Sequence, residues 1–367
     1  MRTYRALTKL PRILVAFWLL RPLLARDVAD EEERLIGWAG ETYRRDPVHP
    51  RQQSLSGGNG TRGLGWIQVV SWKPRVAIFH NFLSDAEARH ILLLAAPYMQ
   101  RSEEDGGGDE EGATDARTSY GTFLRRRFDP VVAAVEERVA LWSHLPVAHQ
   151  EALQVLRYGV NDKYSPHFDA AGRVATVLMY LVEPEEGGET AFVNSEWQHP
   201  ELRRQSEEGG LSECARGRVA YKPRRGDALI FYDTLPDYRS LDRHSEHTGC
   251  PVVRGVKWNA VTWIHGQEFD PEDWAAARQG YAPPRPDPGH CGDYDSECAK
   301  YAAQGDCEEN RLYMVGGAGF MGTCRRACGA CEVCGEGDAD CARRNRRRGG
   351  YLELSEEELQ REIGRGT

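Results

Sequence analysis

Cysteine is absent from the first 213 of the 367 residues, and all ten cysteines lie between Cys214 and Cys341. The long N-terminal portion therefore cannot be a disulfide-stapled scaffold, and it has to fold on an apolar core of its own. An excess of positive charge is also missing: 47 Lys and Arg stand against 56 Asp and Glu, for a net charge of -9 and a pI near 5.7. Such a chain has no general attraction to phosphate backbones, and its one dense basic cluster, 343–348, is short, so no nucleic-acid partner is expected. No uninterrupted apolar run is long enough for a comfortable membrane span; the N-terminal run 13–20 is closed by Arg21. No internal repeat is found, which argues against a solenoid or propeller.

Arg2, Arg5, Lys9 and Arg12 precede the run 13–20, and Leu23, Leu24 and Ala25 follow it. Residues 1–25 read as a secretory signal, either cleaved or kept as a membrane anchor, because no clean small-residue cleavage site follows. Eight cysteines crowd into 291–341, the density of a small disulfide-stapled module, which implies an oxidising compartment. The expected location is the endoplasmic reticulum lumen or membrane. Gly366-Thr367 carries no Lys-Asp-Glu-Leu type retention signal, so residence there, as opposed to passage, does not follow. Asn59-Gly60-Thr61 is a glycosylation sequon.

Residues 26–65 are polar and Gly-rich and read as a linker or stalk, with order beginning near Trp66. Ser84-Asp85-Ala86-Glu87 has the capping-box spacing, and Ala88, Ile91, Leu92, Leu94 and Ala95 continue it as a helix. The stretch 102–115, with seven acidic residues and four Gly, reads as an exposed loop. A second helix is expected over 130–141. From Leu153 the pattern turns to short β-rich runs at 175–182, 227–232 and 258–264, punctuated by Gly187-Gly188 and 223–226. Helices followed by strands indicate an α+β domain with a β-sandwich or barrel core.

Three side chains have the chemistry of a metal centre. His167 and Asp169 lie two apart, so on an extended segment they project from one face, and His247 can supply a third ligand from a distant loop. Two imidazoles and one carboxylate on one face of iron(II) leave three positions open, as a bidentate oxoacid plus dioxygen requires. Each residue alone is unremarkable: a His-x-Asp pair recurs by chance, a loop histidine is usually solvated, and a strand lysine is usually exposed. Lys257 alters that balance. It stands ten residues past His247, between Gly255 and Trp258, where partial burial would leave an ammonium in need of an anion.

These residues fall within ordered blocks, over roughly 75 to 268, that resemble the prolyl 4-hydroxylase family, especially its plant and algal type. The blocks are Arg117-Thr118-Ser119 with Gly121, Phe123 and Leu124; 155–169; 173–194 with Glu186-Gly187-Gly188-Glu189-Thr190; and 222–232 with Gly226-Asp227. The most specific is His247-Thr248-Gly249-Cys250-Pro251-Val252 with Gly255, Lys257, Trp258, Trp263 and His265. The resemblance implies a double-stranded β-helix (jelly-roll) catalytic domain with flanking helices. It puts Fe(2+) on His167, Asp169 and His247, and the distal carboxylate of 2-oxoglutarate on Lys257 with Tyr158 and Thr190. It also implies ascorbate as a cofactor, O2 and a proline-rich polypeptide as substrates, and Tyr164, Arg173 and Trp263 along the peptide groove. Trp263 has an equally good reading as core. A same-fold oxygenase acting on another residue or a small molecule is the rival enzyme reading.

By the same resemblance Cys214 pairs with Cys250, two buried free thiols being the alternative. Cys291, Cys298, Cys307, Cys324, Cys328 and Cys331 look like an ShK-toxin-like module, whose pairing would join Cys291 to Cys331, Cys298 to Cys324 and Cys307 to Cys328. Spacing alone allows fifteen arrangements, and a zinc site is the other reading. Cys334 and Cys341 fall outside that pattern and are expected to pair. A secreted binding protein built on this module is the reading from another class. The expected organisation is signal or anchor 1–25, linker 26–65, catalytic domain 66–268, Pro-rich linker 269–290, toxin-like module 291–331 and tail 332–367. Oligomeric state is not legible.

Overall fold

A computed structural model of the protein describes residues 65–102, 117–169, 172–281, 285–317 and 320–364. All of them belong to one compact unit, Thr42–Thr367. The N-terminal signal, the sequon and nearly all of the acidic loop lie outside the described residues. Among those described, no helix is long and apolar enough to cross a membrane.

The hairpin β1 (Trp66–Trp72) and β2 (Arg75–His80) opens the fold. Helix α1 (Asp85–Ala95) follows behind the capping box, in which the Glu87 N–H donates to Ser84 Oγ and the Ser84 N–H donates to Glu87 Oε2. After β3 (Gln100–Arg101) and β4 (Tyr120–Leu124), helix α2 (Pro130–Ser143) starts on an Asp129 cap and ends at His144, in the left-handed region at φ 57°. The remaining strands of the domain are β5 (Leu153–Tyr158), β6 (Tyr164–His167), β7 (Arg173–Val182), β8 (Glu186–Gly187), β9 (Thr190–Phe192), β10 (Val219–Tyr221), β11 (Ala228–Tyr232), β12 (His247–Gly249), β13 (Val252–Arg254) and β14 (Lys257–His265). Helix α3 (Pro200–Glu208) lies between β9 and β10.

An eight-stranded antiparallel sheet runs β1-β2-β11-β7-β14-β5-β4-β3, and a four-stranded one runs β10-β9-β12-β6. Val70, Ile78, Tyr180 and Leu229 of the large sheet and Phe192 and Val219 of the small one share a single buried cluster, so the two sheets pack face to face as a jelly roll. Strands β7 and β14 are buried along almost their whole length, which is why apolar residues fall on both of their faces and no strict alternation shows. Each large side chain so buried contributes about 2–3 kcal/mol. At Gly187 (φ 77°) a Cβ would stand 2.3 Å from the Pro251 carbonyl oxygen, so only glycine lets β8 approach β13 there.

Two expected spacers are built structure. The Pro-rich stretch holds helix α4 (Pro271–Ala277), with proline at its first turn where no N–H is needed. The buried Arg126 guanidinium fixes it by donating to Asp273 Oδ2 at 2.8 Å, the Phe269 carbonyl at 2.8 Å and the Asp270 carbonyl at 2.7 Å. The C-terminal stretch read as a tail contains α8 (Ala339–Arg348) and α9 (Glu356–Gly364). Buried Tyr351 bridges to Gln100 of β3, and Glu362 accepts from Trp258 Nε1 at 2.7 Å and Arg157 Nη2 at 2.6 Å. Between these stretches lie α5 (Cys298–Gln304), α6 (Asp306–Glu309), α7 (Arg311–Met314) and the short pair β15 (Gly316–Gly317) and β16 (Phe320–Met321).

Candidate active site

Strands β6 and β12 pair so that His247 stands directly opposite His167, and Asp169 follows immediately past the end of β6. Pairing of two strands 80 residues apart in number thus assembles what no local pattern could. His167 Nε2 lies 3.7 Å from Asp169 Oδ1, and His247 Nε2 lies 3.7 Å from Asp169 Oδ2. One ligand atom from each residue falls within 4.8 Å of the other two. Both histidines donate Nδ1–H to the carbonyl two residues earlier, Ser165 at 2.7 Å and Ser245 at 3.0 Å, which leaves both Nε2 lone pairs directed at the shared space.

Burial and the neighbouring His247 hold His167 down to about 4, so it is neutral and able to ligate at ordinary pH. Burial works to raise Asp169, but the two imidazoles and the hydroxyl of Thr176, 2.8 Å from Oδ2, outweigh it and hold the carboxyl below its usual value. Asp233 sits 3.2 Å from the same hydroxyl, and burial with the Asp169 charge pushes it well above the carboxylate range, leaving a neutral acid behind the site. Two imidazoles held through their Nδ1–H groups and one carboxylate held by Thr176 fit a ferrous ion.

Lys257 begins β14 opposite Tyr158 of β5 and is 3% exposed. It makes no hydrogen bond or ion pair among the described residues; burial lowers it to about 8, partly offset by the charge of Glu189. The Tyr158 ring centroid lies 5.3 Å from Nζ and that of Tyr180 5.8 Å. The Tyr180 hydroxyl stands 3.0 Å from Thr190 Oγ1, so Lys257, Tyr158, Tyr180 and Thr190 form one buried group. A buried ammonium with aromatic walls and hydroxyls fits the far carboxylate of a diacid. Burial raises the Tyr158 hydroxyl, with the neighbouring Arg117 charge opposing, and its ring faces the ammonium.

At the mouth, the Tyr164 ring stacks on His167 at 3.6 Å, with the Arg117 guanidinium 4.8 Å from the Tyr164 ring centroid. Arg173 lies 4.0 Å over the Trp263 ring and donates to Glu151 Oε1 at 2.6 Å, and His265 Nε2 stands 2.8 Å from the same oxygen. Trp263 is 8% exposed, and its Nε1 is buried with no hydrogen-bond partner among the described residues.

Comparison with known proteins bears on this arrangement. The sequence profile of the 2OG-Fe(II) oxygenase superfamily matches residues 153–265, from β5 to β14. Prolyl 4-hydroxylase 2 of Arabidopsis thaliana is 38% identical over 286 residues, covering 72% of this chain and 88% of the relative. Prolyl 4-hydroxylase 5 of the same plant is 40% identical over 232 residues, 60% and 78% of the two chains. The chain belongs to the prolyl 4-hydroxylase family. It is therefore an iron(II)- and 2-oxoglutarate-dependent dioxygenase, and the matched span holds all three metal-facing side chains and Lys257. Among solved structures, the viral collagen prolyl hydroxylase of Paramecium Bursaria Chlorella virus-1 is similar at 25% identity, with a TM-score of 0.38, over 52% of this chain and 96% of that one.

The structure of this prolyl 4-hydroxylase also joins Cys214 to Cys250, and Cys291 to Cys331, Cys298 to Cys324, Cys307 to Cys328 and Cys334 to Cys341. The first bond ties the loop before β10 to the end of β12, the strand that carries His247. That loop is also held by buried Glu189, which accepts from the Ser212 N–H at 2.8 Å and hydroxyl at 2.7 Å. Tyr180, Thr176, Asp233 and Glu151 were not singled out from sequence. Tyr180 and Thr176 sit inside the apolar run of β7, where a single tyrosine or threonine looks like core. Asp233 does end the run of β11, and an acid closing a buried strand was a signal open to notice.

Proposed function

We propose that this dioxygenase hydroxylates C4 of proline in proline-rich polypeptides of the secretory pathway, with 2-oxoglutarate and O2 as cosubstrates and ascorbate keeping the iron ferrous. The observation that carries the reading is the pairing of a three-ligand face with a buried ammonium that has no hydrogen bond or ion pair among the described residues: a metal that keeps open positions beside a cation suited to a diacid. His167, Asp169 and His247 bind the metal on one side only. Lys257 selects a diacid over a monoacid, and the Thr190 hydroxyl, relayed by Tyr180, donates to it. When bound, iron(II) and 2-oxoglutarate supply the oxidising chemistry, in which the two oxygen atoms of O2 go to the prolyl carbon and to succinate, with release of carbon dioxide.

The protein's own contribution is placement and exclusion of water. Tyr164, held by stacking on His167, offers an aromatic face to the prolyl ring. Arg173, kept in place by Glu151 and stacked on the Trp263 ring, is a donor for peptide carbonyls. Succinate release measured across prolyl peptides, lysyl peptides and free amino acids tests the assignment. Stimulation by prolyl peptides alone, with 4-hydroxyproline found by mass spectrometry, is expected; absence of peptide stimulation would overturn it.

We infer further that 291–331 is an ShK-toxin-like module and that the chain resides in the endoplasmic reticulum. The Cys291–Cys331 bond enclosing the crossed pair Cys298–Cys324 and Cys307–Cys328 supports the first reading, and the total of five disulfides supports an oxidising lumen. Carbonate extraction of membranes, followed by sequencing of the mature N-terminus, separates a cleaved signal from an anchor.

A further inference from the structure

We propose that the cleft between the catalytic domain and the cysteine-rich module is a second docking site for the proline-rich substrate, engaging residues distant from the proline being hydroxylated. The inference rests on the prolyl reading above. The cleft has a volume of about 520 Å³, and Phe123, Phe269, Tyr294 and Phe320 are among the residues that line it. The Phe123 and Phe320 rings stack across the junction at 5.1 Å and 10°. Phe320 and Tyr294, both from the cysteine-rich side, are 45% and 40% exposed, so the aromatic wall of the cleft is open to a partner.

Continuity with the active-site mouth selects the occupant. His265, which shares Glu151 with Arg173, stacks on Phe269 at 4.5 Å, and Ala152, next to Glu151, lines the cleft. The mouth and the cleft thus share a border at Glu151, Ala152, His265 and Phe269, so a chain held at Arg173 lies next to the aromatic walls. A proline-rich segment in the polyproline II form offers flat prolyl rings to such walls and leaves its carbonyls unpaired. The cleft supplies a matching donor: Arg125 lines it, and its Nε is buried with no hydrogen-bond partner among the described residues. The chemistry that recognises the partner is thus prolyl stacking with a carbonyl-binding arginine, and the cysteine-rich module forms one wall of a longer substrate track.

The test compares a prolyl peptide of about three residues, ~9 Å as polyproline II, with one of about 15 residues, ~46 Å. In the wild type KM should fall roughly tenfold with length at unchanged kcat, and Phe320→Ala and Arg125→Gln should each remove most of that gain while leaving the short peptide's kcat and KM unaltered. Equal KM for both lengths, or variants that keep the gain, would overturn the proposal. If the wild type turns over no prolyl peptide, the catalytic reading fails separately. Fluorescence anisotropy of the labelled long peptide then decides the cleft: roughly tenfold weaker binding by Phe320→Ala supports it, and equal binding overturns it.

Discussion

At the scale of single residues, the chemistry is carried by groups whose surroundings set their charge. Lys257 is lowered to about 8 by burial, so the free enzyme presents an ammonium below that pH and loses it above. kcat/KM for 2-oxoglutarate should accordingly fall as pH rises through about 8, and Lys257→Arg should move the fall to higher pH, since guanidinium keeps its proton. Lys257→Ala should raise KM for 2-oxoglutarate about a hundredfold, the worth of a charge-assisted bond, as steady-state succinate assays would show. His167, Asp169, His247 and Lys257 could be grouped in sequence because the family resemblance joins blocks that are each weak alone, and the structure brings the first three within 4.8 Å. Glu151 was not legible: its partners, Arg173 and His265, lie 22 and 114 residues away, and nothing local marks a surface glutamate as the anchor of an arginine.

At the scale of elements, the long units announced themselves. Helix α1 carries a capping box, β11 is an uninterrupted apolar run, and β7 and β14 are largely apolar because both faces are covered. Strands β6, β9 and β12, at four, three and three residues, are too short to show a period, yet they hold the metal face and Thr190. Such strands need outside support, and the Cys214–Cys250 bond provides it at β12. Replacing both cysteines by serine should cost about 4 kcal/mol of stability, the entropy of a loop of 36 residues, and should weaken iron binding measured by titration. Helix α9 supports β5 and β14 from behind through Glu362. Glu362→Ala strands the Arg157 guanidinium and the Trp258 N–H, with an expected loss of about 3 kcal/mol read as a lowered denaturant midpoint. The acidic run 355–363 looks like a solvated tail in sequence because its docking rests on two residues, Glu362 and Ile363.

At the scale of the whole molecule, stability should depend on pH through a group remote from catalysis. Burial raises Glu136, 3% exposed on the inner face of α2, to about 7 against an ordinary 4.5. The folded state therefore holds its proton more tightly than the unfolded chain does. The resulting stabilisation is complete below about 4.5 and is lost as pH rises through about 7, up to about 3 kcal/mol in all. Thermal melts should show Tm falling over that window, with a shallower fall in Glu136→Gln. The jelly roll was legible as helices followed by punctuated apolar strands, whereas the packing of α4, α8 and α9 was not, since it depends on contacts such as Arg126 with Asp273 that join distant segments. The centre of the account is a ferrous site on His167, Asp169 and His247 that couples 2-oxoglutarate to a prolyl peptide. Iron content and peptide-stimulated succinate release, measured together on the wild type and His247→Ala, test it most directly. One iron per chain with prolyl-dependent succinate in the wild type, and loss of both in the variant, is the predicted result; full turnover by His247→Ala, or a wild type that binds no ferrous ion, would contradict it.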